Sequence, residues 1–222
     1  MIHIKQYIFN PFQVNCFVAW DNDGNCAIID PGYIDAERAR LVAFIEENKL
    51  KPSCILLTHG HFDHCYGLAD LAQRYSIPIY MDSSETYSFE NTNPYVCGAY
   101  DLPLPTIPSK EHFKSIKDGD KIQVGTLSFE ALQTPGHSVG GVCYLEKEEK
   151  ALFSGDTLFA GAIGRTDHPG GDYDQLMNSI FTKLMVLDGD ITVYPGHGPQ
   201  TDISTERMTN PFLMPFNEPY EE

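Results

Sequence analysis

The sequence predicts an α/β fold in which two sheets pack face to face and helices cover the outside. Three observations lead there. Short apolar or alternating runs precede amphipathic helical stretches, the second half of the chain repeats the style of the first, and no linker-like composition separates the halves. One domain over residues 1–222 is therefore expected, and 222 residues with 42% apolar content suffice for a sizeable core.

In the first half, His3 to Ile8, Asn15 to Trp20 and Ala27 to Asp30 read as strands, with Asp21-Asn22-Asp23-Gly24 as a hairpin turn. Asp30-Pro31-Gly32 stops the sheet. A helix is expected from about Asp35, which can cap it, to Asn48; Leu41, Val42, Phe44 and Ile45 give it an apolar face, and Lys49-Leu50-Lys51-Pro52 ends it. Cys54 to Leu57 is a continuous apolar run, as in a strand buried on both faces. Leu68 to Tyr75 reads as a helix and Ile79 to Met81 as a strand. The proline-rich stretch from Asn91 to about Ser109 reads as a long surface loop: a lid, a substrate wall or a passive excursion.

In the second half, Lys121 to Val124 and Leu127 to Gln133 flank a turn at Gly125, and Gly141 to Leu145 and Ala151 to Ser154 flank a charged turn. Asp172 and Gln175 form a capping box for a helix to Leu184, with Leu176, Ile180 and Leu184 on one face. Ile191 to Tyr194 is the last strand, and a short helix follows near Thr201 to Met208.

Acidic residues outnumber basic ones 31 to 15, for a net charge of −16. Such a surface repels phosphate backbones and anionic lipid heads, which argues against nucleic acid and membrane as partners. The N-terminus, MIHIKQYIFNPF, lacks the pattern of a signal peptide, and no apolar run is long enough to span a bilayer. The six cysteines show no C-x-x-C spacing, and several sit in apolar runs. Buried free thiols in a cytoplasmic protein are expected.

The chemistry is concentrated in Thr58-His59-Gly60-His61-Phe62-Asp63-His64, directly after an apolar strand. Alternate residues of an extended segment face the same way, so His59 and His61 can grip one ion together, while Asp63 and His64 are placed to bend toward a neighbouring one. Imidazole and carboxylate suit zinc, iron or manganese. Burying three histidines and an aspartate at one strand end would be costly without a cation. Three further segments run from an apolar strand into a glycine turn with one polar side chain: Pro135-Gly136-His137, Ser154-Gly155-Asp156 and Pro195-Gly196-His197. Converging strand ends would gather all seven side chains. His3, His112 and His168 lack such neighbours and read as surface or packing residues. Asp30 can hold a loop near the metals or simply cap a turn.

At these residues the sequence resembles the metallo-beta-lactamase fold superfamily, marked by H-x-H-x-D-H followed by separate His, Asp and His ligands. The likeness covers nearly the whole chain in the right order. More narrowly, Ser154-Gly155-Asp156-Thr157-Leu158-Phe159, Ile163-Gly164-Arg165-Thr166-Asp167, Tyr194-Pro195-Gly196-His197-Gly198-Pro199 and Thr209-Asn210-Pro211-Phe212-Leu213 resemble the glyoxalase II-like hydroxyacylglutathione hydrolases. The resemblance implies a four-layer αββα sandwich with two mixed sheets. It implies two divalent metal ions, zinc first with iron or manganese as alternatives. His59, His61 and His137 would bind the first, Asp63, His64 and His197 the second, and Asp156 would bridge them. Catalysis would rest on Asp63 and Asp156 and on a metal-bridging hydroxide attacking a small-molecule thioester of the lactoylglutathione type. Arg165 would hold the thiol carrier; its alternative reading is a surface salt bridge. Longer glyoxalase II enzymes add a basic helical C-terminal region that grips glutathione, whereas this chain ends in Glu218-Pro219-Tyr220-Glu221-Glu222. That sets the glutathione moiety apart from the thioester chemistry. The rival reading is a persulfide dioxygenase-like oxidoreductase with one iron, which resembles the same motifs. Beta-lactamases with a two-zinc site usually carry Cys where this chain has Asp156.

Overall fold

The structure, a computed structural model, describes residues 1–214; the acidic stretch Glu218 to Glu222 lies outside the described residues. The first sheet holds six strands: β1 His3–Phe9, β2 Val14–Trp20, β3 Asn25–Ile29, β4 Lys51–Leu56, β5 Ile79–Met81 and β6 Phe113–Ser115, in that order across the sheet. Its β1–β2–β3 part is antiparallel and its β3–β4–β5–β6 part parallel. The second sheet is built from β7 Lys121–Val124, β8 Leu127–Gln133, β9 Val142–Glu146, β10 Ala151–Gly155, β13 Thr192–Pro195 and β14 Thr201–Asp202. A two-stranded ribbon, β11 Leu158–Phe159 with β12 Ala162–Ile163, stands apart.

Strand periodicity makes the layers. On β2, β3 and β4, Phe17, Ala19, Ala27, Ile29, Cys54 and Leu56 face the second sheet, where Phe129, Val142, Tyr144 and Phe153 meet them. The intervening residues Cys16, Val18, Cys26, Ile28, Ile55 and Leu57 face outward onto Leu41 and Ile45 of helix α1 (Arg38–Glu47) and Leu68 and Leu71 of α3 (Leu68–Tyr75). The second sheet repeats this, with Cys143, Leu145, Leu152 and Val193 packed on Leu176 of α6 (Tyr173–Ser179) and Ile203 of α7 (Ile203–Thr209). The order helix, sheet, sheet, helix is the four-layer sandwich expected.

Local chemistry moved several boundaries. Helix α1 begins at Arg38 rather than near Asp35, because the carboxylate of Glu37 accepts from the N–H groups of Ile34 and Asn10 and holds the preceding turn. Lys51 and Pro52 begin β4 instead of ending the helix. Pro52 sits where the β3–β4 register shifts, a place that tolerates the missing N–H donor. The Asn91–Ser109 stretch contains α5, Pro94–Ala99, capped by the Asn93 side chain accepting from the Tyr95 N–H at 2.9 Å. Asp172 caps α6 as expected, and beyond Ser179 the helix widens into a π-turn over Ile180–Leu184. Two short helices, α2 Phe62–Cys65 and α4 Thr86–Glu90, complete the set. All six cysteines are buried and free, and no helix among the described residues is long and apolar enough to cross a membrane.

Asp21 clasps the two sheets at the edge opposite the ligand-bearing loops. One carboxylate oxygen accepts from the N–H groups of Asp23 and Asn25 in the β2–β3 turn, and the other accepts from the Thr126 N–H in the β7–β8 turn at 2.9 Å. Burial pushes its carboxyl up, but the bonds from Asn25, Thr126 and Asp23 outweigh it and hold the value at about 2, below the ordinary 3.8. The ionised form is therefore favoured by folding, so the clasp is in place above about pH 4 and is lost as pH falls through 2. Asp21→Ala should cost roughly 2 kcal/mol in urea unfolding at neutral pH. The gap to wild type should close as the acid is titrated; a gap that persists at pH 2 refutes the clasp.

Candidate metal centre

Strand direction collects the candidate ligands. Strands β8, β9 and β10 are successively antiparallel and β13 runs parallel to β10, so β8, β10 and β13 all end at one edge. His137, Asp156 and His197 follow those ends. His59 and His61 follow the end of β4, and Asp63 and His64 lie on α2. The sheets are stitched there: Val142 N–H donates to the Thr58 carbonyl at 2.9 Å, and Asn15 N–H to the Gly196 carbonyl at 2.7 Å. Two glycines have steric reasons. Gly155 has φ +48°, and a Cβ on Gly196 would lie 2.2 Å from Asp156 Oδ1.

All seven predicted side chains meet. Ligand atoms of His59, His61 and His137 lie within 4.8 Å of one another, and so do those of Asp63, His64 and His197. Asp156 stands between the two groups: Oδ2 is 3.5 Å from Nε2 of both His137 and His197, and Oδ1 is 3.5 Å from His64 Nε2. His197 Nε2 lies 3.3 Å from Asp63 Oδ2.

The outer atoms decide which nitrogen each ring offers. His137 Nδ1 donates to the Arg165 carbonyl at 2.8 Å and His197 Nδ1 to the Phe12 carbonyl at 3.0 Å. His64 Nδ1 donates to Asp30 Oδ2 at 3.0 Å. The Thr58 hydroxyl donates to the same oxygen and is left to accept from His59 Nδ1. Four Nε2 lone pairs are thereby turned inward, the arrangement by which outer partners fix metal-ligating imidazoles. His61 differs, presenting Nδ1 to His137 Nε2 at 2.9 Å. Asp30 could itself group with His59 and His64, but both its oxygens are engaged, so it serves as the brace of the loop.

A cation fits this set. His59 Nε2, His64 Nε2 and Asp156 Oδ1 are buried without hydrogen-bond partners, although buried polar atoms are rarely left so. Burial, reinforced by neighbouring imidazoles, pushes His59 and His137 well down, and burial holds His61 at about 4, so this group is neutral and able to ligate. Burial would also lower His64, but Asp63, Asp156 and Asp30 outweigh it and raise the ring to about 10. Burial pushes the Asp156 carboxyl up. The carboxylate end thus calls for positive charge, which a divalent ion supplies.

Beside these groups opens a cavity of about 420 Å³, walled by Phe12, Phe62, Val96 and Asn93 and by Arg165 and His168. Arg165 forms the salt bridge of its alternative reading, its Nε donating to Asp167 at 2.8 Å, and it also lines the cavity. His168, read as a surface or packing residue, stands with its ring centroid 4.9 Å from His61 and 5.0 Å from His137. Its isolation in sequence hid this. His3 is a packing residue as expected, stacked on Trp20.

Four layers and a buried edge of inward-facing imidazoles and carboxylates define a metal-binding α/β sandwich. The chain belongs to the Metallo-beta-lactamase superfamily, which it matches over residues 9–197. It is 40% identical to the hydroxyacylglutathione hydrolase GloC of Haemophilus influenzae over 91% of this chain and 93% of that protein. Among solved structures it is similar to the BLEG-1 B3 metallo-beta-lactamase (TM-score 0.84, 38% identity, 96% of this chain and 100% of that one). A di-iron-bound form of TTHA1623 gives a TM-score of 0.81 at 34% identity over 94% of this chain and 100% of that one. ETHE1 from Myxococcus xanthus gives 0.76 at 25% identity over 94% and 83%.

Removing the Asp30 brace should be felt by any metal these groups hold. Asp30→Ala is expected to weaken metal retention against a chelator roughly 10–100-fold. Unchanged retention would show that Thr58 and His64 are held without it.

Proposed function

We propose that this superfamily hydrolase cleaves a small thioester of the hydroxyacylglutathione type, with two divalent ions held by the seven side chains. The observation that carries this reading is the Asp156 carboxylate, within 3.5 Å of His64, His137 and His197 and thus facing both groups beside the cavity. The 40% identity to GloC of H. influenzae supports the substrate class, and the di-iron form of TTHA1623 supports a pair of ions, with iron as well as zinc a candidate.

A bound pair of divalent ions would lower the pKa of a bound water and polarise a carbonyl. The protein supplies the rest. His59, His61 and His137 hold the three-imidazole side, and Asp63, His64 and His197 hold the carboxylate-rich side. The Asp63 carboxylate would orient the water and take its proton as the water oxygen bonds to the acyl carbon. The carbon–sulfur bond then breaks, and the proton passes to the departing thiolate. Phe12, Phe62 and Val96 offer the acyl part an apolar wall, while Arg165 sits where an anionic thiol carrier would be met. No thiol competes as nucleophile, because all six cysteines are buried.

A second reading, an oxidoreductase of the persulfide dioxygenase type with a single iron, rests on the motif resemblance of the sequence, and the chain is also similar in fold to ETHE1 from M. xanthus. One experiment separates the two. Metals per chain are counted by elemental analysis while lactoylglutathione hydrolysis, glutathione persulfide oxidation and β-lactam hydrolysis are assayed in parallel. Two ions per chain with thioester turnover are expected; one iron with oxygen uptake establishes the second reading. Asp156→Ala should lower metal content and cut thioester turnover more than ~100-fold together. Full activity in that variant excludes the bridging role.

A further inference from the structure

Glu85 is buried, carries no role in the chemistry above, and touches none of the seven candidate ligands through its side chain. Its carboxylate nevertheless joins three segments. Oε2 accepts from the Gly60 N–H at 2.6 Å and from the Ser88 hydroxyl at 2.7 Å, and Oε1 accepts from the Gly140 N–H at 2.6 Å. Gly60 lies between His59 and His61, and Gly140 lies three residues past His137. Ser88 is on α4 and lines the cavity.

We propose that Glu85 is the positioning residue of the three-imidazole group, bolting the His59–His61 loop to the His137 loop through their backbones and tying both to the cavity wall. The turn that carries it is itself fixed. Asp82 caps the Ser83–Glu85 turn by accepting from the Ser84 N–H at 2.8 Å, and it also accepts from the side chain of Gln133, the last residue of β8 before the His137 loop. Both loops press on this turn: a Cβ on Gly60 would lie 2.9 Å from the Glu85 carbonyl oxygen, and one on Gly140 would lie 2.6 Å from Ser84 Oγ. The other group has different supports. His64 leans on Asp30 and His197 on the Phe12 carbonyl, and neither contact runs through Glu85. The two groups should therefore respond separately to its loss.

Glutamine in place of Glu85 keeps the shape but exchanges one acceptor for an NH2 group, so either Gly60 or Gly140 must point its N–H at a donor. A buried donor left unsatisfied pushes its loop out of place. The inference rests on the paired-metal reading, and the test keeps the two apart. Zinc per chain, zinc affinity by chelator competition and thermal midpoint are measured for wild type, Glu85→Gln and Glu206→Gln. Glu206 is an equally buried carboxylate, bonded to Gly161, Thr201 and Asn210. Wild type should bind two zinc ions. Glu85→Gln should weaken one of them roughly 10–100-fold and leave the other unchanged. His197→Ala, which strips the other group, assigns the one that remains. Glu206→Gln should lower the midpoint and keep both affinities. A Glu85→Gln protein that behaves like Glu206→Gln overturns the proposal. If Glu85→Gln proves insoluble, Ser88→Ala decides: a weakening of about threefold at the same ion supports the brace, and none refutes it. A wild type with one zinc defeats the paired-metal reading alone, and the brace is then judged on that ion's affinity in Glu85→Gln. A wild type that binds none sinks both.

Discussion

Five imidazoles and two carboxylates taken out of water at one sheet edge set the constraint that the surrounding structure answers. An isolated buried charge is expensive, and a buried pair is tolerated only when its remaining lone pairs and protons are satisfied. The ligand-bearing side chains cannot satisfy one another, as the partnerless Nε2 atoms of His59 and His64 and the partnerless Asp156 Oδ1 show. Positive charge has to enter the edge either as protons or as metal ions.

The fold makes that edge by direction and the outer shell makes it by orientation. Three strands of one sheet, β13, β10 and β8, end at the same edge with β9 running back between the last two, and β4 of the other sheet ends opposite them, so their loops have to meet. Meeting is not enough, because an imidazole that turns by half a rotation offers the wrong nitrogen. The carbonyls of Arg165 and Phe12, the Asp30 carboxylate and the Thr58 hydroxyl each take one Nδ1 proton and remove that freedom. The same backbone that packs the sandwich therefore sets the ring tautomers. Packing and chemistry are coupled here through hydrogen bonds rather than through contacts between ligands.

What the sequence showed and what it hid follow from range. The His59 to His64 cluster was legible because its spacing is local, and the glycine turns before His137, Asp156 and His197 were legible because each repeats one strand-to-turn form. The layers were legible because strand-like runs precede helical ones in both halves with no linker between them, and the near-continuous apolar runs of β2 and β3 suit strands covered on both faces. Helix α5 was hidden by Pro94 and Gly98, which break the periodic signal although Asn93 caps the segment well. The start of α1 was misplaced because Asp35 is the better cap on paper, and the bonds that Glu37 accepts from Ile34 and from the distant Asn10 leave no local trace. Glu85 and His168 were out of reach for a different reason. Apart from Ser88, the partners of Glu85 are backbone N–H groups 25 and 55 residues away, and the neighbours of His168 are rings from other loops. No pattern of side chains announces either.

The hydrolase and the single-iron readings differ in the number of ions held, so the charge balance of the carboxylate-rich group bears on both. Protons alone could balance the charge there, with His64 raised to about 10 by its three carboxylate neighbours. The distances argue against that solution. A proton on His64 Nε2 would look for an acceptor within about 3.2 Å, yet Asp156 Oδ1 stands at 3.5 Å and Asp63 Oδ2 at 3.6 Å. A tetrahedral ion bonded to its ligands at about 2.1 Å separates them by about 3.4 Å. The contacts of His64 and His197 with the two aspartates run from 3.3 to 3.6 Å, which is loose for hydrogen bonds and right for the edges of a coordination shell. That spacing supports the proposed second ion over a second proton at Asp63, His64 and His197.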